Sequence, residues 1–419
     1  MLRELIRAVK VAVFLAFFFF LTLRISAQKA IYTIEDCIDI ALKNNENIKT
    51  AHLNIEYQKQ YKKASTEIPK TSFMYTQGQF NSIYKYDNIF AVTQVIPFPT
   101  VFSSHAAVAN AQIKGSEYKF AATRSDLIYQ IKVCYYSLLF LNAKHELLHR
   151  EDSLYEDFAN NSALKYASGK GTLLEKITSE TQVMEIRNQL LESEEDINNY
   201  EIQLRTLMHA KQNFDIKWTD IKKNYLNWSV DTAAILDHPL LKFYRQQVEV
   251  SKKQVKLEAA KILPDLTVGY FNQSIYGPAN VFGEDYFLTR QNRLQGFQMG
   301  IAVPLWLYPQ RSKILAANIN TKFAQSDYDY NVSLMEGQYD QAVSQYMKYR
   351  NSVNYYQSNA LANSKLIIEE ALKSYNLKEI SYVEYLQVVS QALSIESNLV
   401  NVIHQNNMAV LKIEYLLSK

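Results

Sequence analysis

Polar and apolar positions along this chain follow two different periods, and a small number of breakers separates them. Between Pro99 and Gly169 only Gly115 interrupts, between Gly171 and Pro239 there is no Gly or Pro, and beyond Pro309 there is only Gly337. Such runs predict long helices, and sixty residues of helix would reach about 90 Å at 1.5 Å per residue. Val183, Ile186, Leu190, Ile197, Tyr200, Leu204 and Leu207 recur at spacings of three and four, interrupted by Ser193, with Glu192, Glu194, Glu195 and Asp196 between them. That is a coiled-coil-like seam, and a plain helical bundle would share it.

Two regions alternate instead. Lys70 to Asn81 and Asn88 to Phe98 form one pair of predicted strands, Asp265 to Ile275 and Arg293 to Leu305 the other. Phe73, Tyr75 and Gln77 share a face opposite Met74, Thr76 and Gly78. Phe297, Met299, Ile301 and Val303 oppose Gly296, Gln298, Gly300 and Ala302. An apolar face opposite a small or polar one suits a membrane β-barrel strand, and equally a half-buried soluble sheet.

The order of elements occurs twice. A helix ending in Ile68-Pro69 leads to two strands, then Ile96-Pro97-Phe98 and a long helix. A helix ending in Leu263-Pro264 leads to two strands, then Val303-Pro304-Leu305 and another. Each long helix reaches a related turn: residues 166–175 match 375–384 in register without a gap. The expected division is a first repeat over 28–210, with its hairpin at 70–98 and a tip near 166–176, then a linking segment over 211–237. The second repeat covers 238–419, with its hairpin at 265–305 and a tip near 375–387. Four strands cannot close a barrel, and lipid does not tolerate unpaired edges. Three chains would supply twelve strands, so a membrane sheet here predicts a homotrimer.

Composition narrows the class. Residues 1–27 read as a secretory signal: Arg3, Arg7 and Lys10, then an apolar run from Val11 to Leu23, then Ser26-Ala27. The run is shorter than the roughly 20 residues that span a bilayer. The chain carries 45 basic and 42 acidic residues, and its +3 balance matches the four basic and one acidic groups of the leader. The exported chain is near neutral, which disfavours nucleic acid as a partner. Two cysteines, Cys37 and Cys134, exclude a disulfide scaffold and a cysteine-only zinc site.

Two motifs resemble catalytic or nucleotide sites. His145-Glu146-Leu147-Leu148-His149 matches the zinc metalloprotease pattern, but a catalytic zinc needs a third ligand from another direction. One long helix does not supply it. Ser168-Gly-Lys-Gly-Thr172 lacks the first Gly and the preceding strand of a phosphate loop and reads as a turn. No catalytic residue, cofactor or resident metal is expected.

The doubled order, with Tyr32-Thr-Ile-Glu-Asp-Cys-Ile-Asp-Ile-Ala-Leu-Lys-Asn-Asn45, the Leu263-Pro264 strand entry and the two turn segments, resembles the TolC family of outer-membrane efflux channels over residues 32–418. Cys37 stands where that family usually has Ala. The resemblance implies a trimer whose twelve-stranded barrel meets outer-membrane lipid in a Gram-negative cell. A barrel of long helices then fills the periplasm, and no enzyme activity is implied. It also implies a periplasmic adaptor and an inner-membrane pump; the compact chain suits a pump of the resistance-nodulation-division type. Residues 82–87 and 276–292 would be outward loops, and 211–237 an equatorial belt. Gate positions would be Glu384, Gln387 and Glu175, with Gln387 a neutral amide where the family has an acid. Adaptor contacts would fall at Tyr166, Gly169, Thr172, Leu173, Tyr375, Lys378, Ser381 and Tyr382. Two other classes remain open: a periplasmic coiled-coil scaffold without a barrel, and an exported zinc hydrolase using His145 and His149.

Overall fold

The computed structural model describes residues 30–79, 83–211, 214–219, 221, 224, 226 and 232–418. The expected signal at 1–27 lies outside them, as do residue 82 of the first expected loop and much of the linking segment. In chain order the elements are strand β1 (Ala30–Tyr32), helices α1 (Ile34–Asn44) and α2 (Glu46–Lys63), and strands β2 (Ser72–Gly78) and β3 (Asp87–Ile96). Helices α3 (Pro99–Ala167) and α4 (Leu173–Met208), strand β4 (Phe214–Ile216) and helix α5 (Pro239–Ala260) follow. Strands β5 (Asp265–Ser274), β6 (Gly277–Val281), β7 (Glu284–Leu288) and β8 (Arg293–Ala302) precede helices α6 (Leu307–Tyr355), α7 (Leu361–Asn376) and α8 (Tyr382–Leu416).

Helix α3 has 69 residues, about 100 Å at 1.5 Å per residue. Pro99 sits at its start, where a missing N–H costs nothing. The corresponding run in the second half has 49 residues in α6, a π turn of five at Tyr356–Ala360 and 16 in α7, a surplus of one. A π turn is how a helix absorbs a single extra residue without breaking.

The helices are joined by four buried clusters in series. Next to the sheet, Val101 and Val108 of α3 meet Leu257 and Ala260 of α5. Further along, Cys37, Ile131, Cys134, Leu138, Leu204 and Met208 join α1, α3 and α4. Leu241, Tyr339, Val410 and Ile413 join α5, α6 and α8. The far end is held by Phe158, Val183, Ile186, Leu190, Tyr382, Tyr385 and Val389. The predicted seam on α4 is buried at Val183, Ile186, Leu190 and Leu204, and Ser193 is buried in line with them. Both cysteines are free and buried; desolvation raises the Cys37 thiol to about 12 and the Cys134 thiol to about 11.

The Ala41-Leu-x-x-Asn45 ending has a definite task. The Asn45 side chain accepts from the Asn47 and Ile48 N–H groups, capping α2, and its Nδ2 donates to the Leu207 carbonyl at 2.8 Å. One residue thus turns the chain between α1 and α2 and ties the turn to the end of α4. Beside it, β1 and β4 pair in parallel, Ile31 opposite Asp215, so the start of the described chain is stitched to the linking segment.

Candidate functional site at the sheet face and the helix tips

Strands β2, β3, β5 and β8 form one antiparallel sheet in that order, leaving β2 and β8 at its edges. Phe73 pairs with Val92, Val92 with Tyr270 and Tyr270 with Phe297; one step along, Val268 pairs with Met299. Cross-strand partners share a face. One side of the sheet therefore carries Phe73, Tyr75, Phe90, Val92, Leu266, Val268, Tyr270, Phe297, Met299 and Ile301. Phe297 is 81 % exposed, Met299 87 % and Phe73 70 %. The other side carries Thr76, Ala91, Thr93, Thr267, Gly269, Gln298 and Gly300, mixed with Met74 and Phe271. The alternation in the sequence resolves into one largely apolar face, interrupted by Gln94, Asn272 and Gln295, and an opposite face richer in small and polar residues.

Gly296 leaves room for a side chain from the neighbouring strand. A Cβ there would come within 2.7 Å of the Phe271 ring, which covers the backbone at that point. The end of the sheet away from the helices is closed by polar groups. Arg293 of β8 donates to Asn88 Oδ1 of β3 at 2.6 Å and to the Asn272 carbonyl of β5 at 3.0 Å. Asp87 is fully buried and accepts from the Tyr276 N–H at 2.7 Å. The expected loop 276–292 is not a simple loop. Its strands β6 and β7 form a small hairpin, and Tyr276 and Phe287 pack with Tyr84. Its polar composition hid that knot, because two aromatics carry it.

The other functional end is the pair of helix tips, which are built alike. Helix α3 ends with Gly169 at φ 68, and the Lys170 and Gly169 N–H groups return to the carbonyls of Lys165 and Tyr166. Helix α7 ends with Lys378 at φ 62, and Glu379 and Lys378 return to Ser374 and Tyr375. Both are Schellman closures. Lys378 holds a left-handed conformation that Gly169 holds more cheaply. Each tip then starts its next helix with a capping box, Thr172 with Glu175 and Ser381 with Glu384.

Those boxes define where the expected gate acids are. Glu175 Oε2 accepts from the Thr172 N–H at 2.9 Å, and Glu384 Oε2 accepts from the Ser381 N–H at 2.7 Å. Both carboxylates are engaged within their own helix ends. Gln387 is exposed, one turn further along α8, beside a groove with Tyr155, Thr178 and Gln182. Of the expected contact residues, Tyr166, Leu173 and Lys378 are exposed, and Gly169, Thr172 and Ser381 shape the turns. Tyr382 departs from that expectation. It is 6 % exposed, its hydroxyl donates to the Phe158 carbonyl at 3.0 Å, and burial pushes the phenol up to about 12. It is a tie between α8 and α3, withdrawn from any docking surface.

Sequence reasoning missed the rest of that tie. Tyr375 stacks on Tyr385 with centroids 4.9 Å apart, and Lys165 donates to the Tyr375 hydroxyl while lying over its ring. Ser162 and Ser179 are both buried and meet at 2.5 Å between α3 and α4. Arg187 on α4 bridges Asp152 at 3.1 Å and Glu156 at 3.0 Å on α3. Buried serine pairs leave no signal in a hydrophobic pattern, and the tyrosines were legible only as packing. Among the described residues no group of three or more His, Cys, Asp or Glu is placed to hold a metal ion.

The Glu384 carboxyl is held below its usual 4.5, first by the Ser381 backbone N–H and then by the Ser381 hydroxyl. A depressed folded value means that the cap contributes fully above the unfolded value and is lost as pH falls through the folded one. Hydrogen exchange at Ser381, corrected for its intrinsic pH dependence, should show unchanged protection from pH 7 to pH 5 and a decline only below 4.5. Glu384→Gln should remove that pH dependence, whereas Ser381→Ala, which keeps the backbone donor, should leave part of it and lower local stability by about 1 kcal/mol.

No sequence-family model matches the chain, and no curated protein does. Solved structures match over nearly its whole length. The outer-membrane channel OprN is 13 % identical with a TM-score of 0.78, over 92 % of this chain and 89 % of that one. The CmeC outer membrane channel of Campylobacter jejuni is 16 % identical with a TM-score of 0.73, over 92 % and 85 %. The open state of the MtrE outer membrane channel of Neisseria gonorrhoeae is 13 % identical with a TM-score of 0.74, over 92 % and 88 %. The fold built here from a four-stranded sheet, long helices and paired tips is thus one this chain shares with these outer-membrane channels.

Proposed function

We propose that this chain is the outer-membrane duct of a tripartite efflux pump, passing cargo from an inner-membrane transporter and a periplasmic adaptor to the outside. The observation that carries the reading is the largely apolar, mostly exposed face across β2, β3, β5 and β8. Three of its strands, β3, β5 and β8, have ten residues each, the length a tilted membrane strand needs. Water disfavours so large an apolar patch; lipid does not. The fold shared with CmeC, MtrE and OprN supports the same reading.

The two edges, β2 and β8, lack partners within the described sheet, which supports a homotrimer with twelve strands. Exposed apolar stripes run down the helices below those edges. Leu53, Tyr57 and Tyr61 lie on α2, and Leu315, Ile319, Phe323 and Tyr330 on α6. Their spacings of about one and two helical turns suit a neighbouring copy. In this reading the two halves are structural repeats, the leader exports the chain, and the helices fill the periplasm. The tips then meet the adaptor through Tyr166, Leu173, Tyr375 and Lys378, with a pump of the resistance-nodulation-division type beyond. A soluble coiled-coil scaffold would need none of the exposed strand face.

Opposite faces of β8 separate the alternatives. Met299→Arg places a charge on the lipid side, at a cost of about 2–4 kcal/mol near the bilayer centre. Gln298→Arg places it on the other side. We expect Met299→Arg to abolish accumulation in the outer membrane and Gln298→Arg to leave it intact. Equal tolerance of both, with chain soluble without detergent, would contradict a membrane sheet.

Glu384, together with Gln387 one turn along α8 and Glu175 on the first tip, is proposed as the gate, three copies of Glu384 forming a carboxylate ring that favours cations. Glu384→Gln keeps the capping box, since an amide serves there as well, and removes the charge. Bilayer recordings should then show reduced cation selectivity with the tip still folded; unchanged selectivity would rule the ring out.

A further inference from the structure

His145 and His149 remain outside the proposed duct function, yet their arrangement is specific. They lie one turn apart on α3, and their Nε2 atoms face each other at 3.1 Å with the rings nearly perpendicular, at 88°. A metal ion about 2.05 Å from both nitrogens would subtend an N–metal–N angle of roughly 100° at this separation. That lies between the right angle of a square-planar site and the tetrahedral angle. The two Nε2 atoms, which hydrogen-bond to each other here, therefore already stand at the separation of a chelate, and an ion would replace the proton they share.

The surroundings favour a cation. His149 is exposed and His145 half-buried, so an ion reaches the pair from solvent. Glu194 of α4 and Glu146 of α3 both act on His145 as negative charges. Glu146 is held by Asn142 at 3.1 Å and serves as a field rather than a ligand.

We propose that His145 and His149 form a two-histidine chelate for a divalent transition-metal ion on the wall of the helical barrel. Imidazole pairs prefer borderline ions, and the general order of affinity puts Cu²⁺ ahead of Ni²⁺ and Zn²⁺. Water fills the remaining positions. With two protein ligands and no third among the described residues, the site binds an ion without assembling a hydrolytic centre. Binding through Nε2 places the His145 proton on Nδ1, which is buried without a partner. That unpaired donor weakens the site relative to one with a supporting carboxylate.

The test uses the full chain in detergent, titrated with Cu²⁺ alone at neutral pH and read by electron paramagnetic resonance. It is independent of duct activity, so failure of either idea leaves the other standing. We expect one tightest site per chain with hyperfine structure from two nitrogens. His145→Ala and His149→Ala should each weaken it by about tenfold or more. Alanine suits a helix, so neither change threatens the fold. His52→Ala with His209→Ala, which removes two other exposed histidines, should leave the tight site unchanged. A tight site that survives His149→Ala, shows a single nitrogen, or disappears in the His52/His209 variant would overturn the proposal.

Discussion

A sheet with Phe297, Met299 and Ile301 bare on one face, and with no partner at either edge among the described residues, has two needs that one chain in water does not meet. It requires an apolar medium for the face and further strands for the edges. In lipid every backbone donor and acceptor must be paired within protein, so the edge requirement becomes absolute. The rest of the architecture follows from that constraint. In the proposed trimer, strands β2 and β8 meet strands from other copies, and the helices beneath them line up side by side. Those helices carry exposed apolar stripes on α2 and α6, where neighbouring copies would stand.

The helical part answers a different problem. A helix of 69 residues has far more surface than a single chain can cover, and it is held by short clusters rather than one core. Polar residues between the clusters fix alignment. Asn45 ties α2 to the Leu207 carbonyl, Arg187 bridges α3 and α4, and Ser162 meets Ser179. At the tips, where two hairpins of helix converge, the tie is aromatic: Tyr382 against Phe158 and Tyr375 on Tyr385. A gate at this end has to work against that packing. If the tips are the proposed gate, opening would separate groups that are buried and hydrogen-bonded as well as relax charge repulsion.

Much of this was legible in the sequence because it rests on period and on breakers. Alternation placed the strands to within a few residues, and the scarcity of Gly and Pro placed the long helices. The register of residues 166–175 with 375–384 predicted matching tips; Gly169 with Lys378, Thr172 with Ser381 and Glu175 with Glu384 now have matching roles. What escaped depends on contacts between distant residues. The π turn at Tyr356–Ala360 has no local breaker to announce it, since it records one surplus residue against a partner helix. Tyr382 looked like a surface residue beside a turn, and only its hydrogen bond to Phe158 puts it inside. The β6–β7 hairpin read as polar because its packing rests on Tyr84, Tyr276 and Phe287 from separate segments.

The central claim is that four strands per chain close only in company, in a membrane. The most direct test is native mass measurement on the chain extracted from the outer membrane in mild detergent. The account predicts a species of three chains that needs detergent to remain dispersed. A stable monomer or dimer, or a species recovered in the soluble periplasmic fraction, would contradict it.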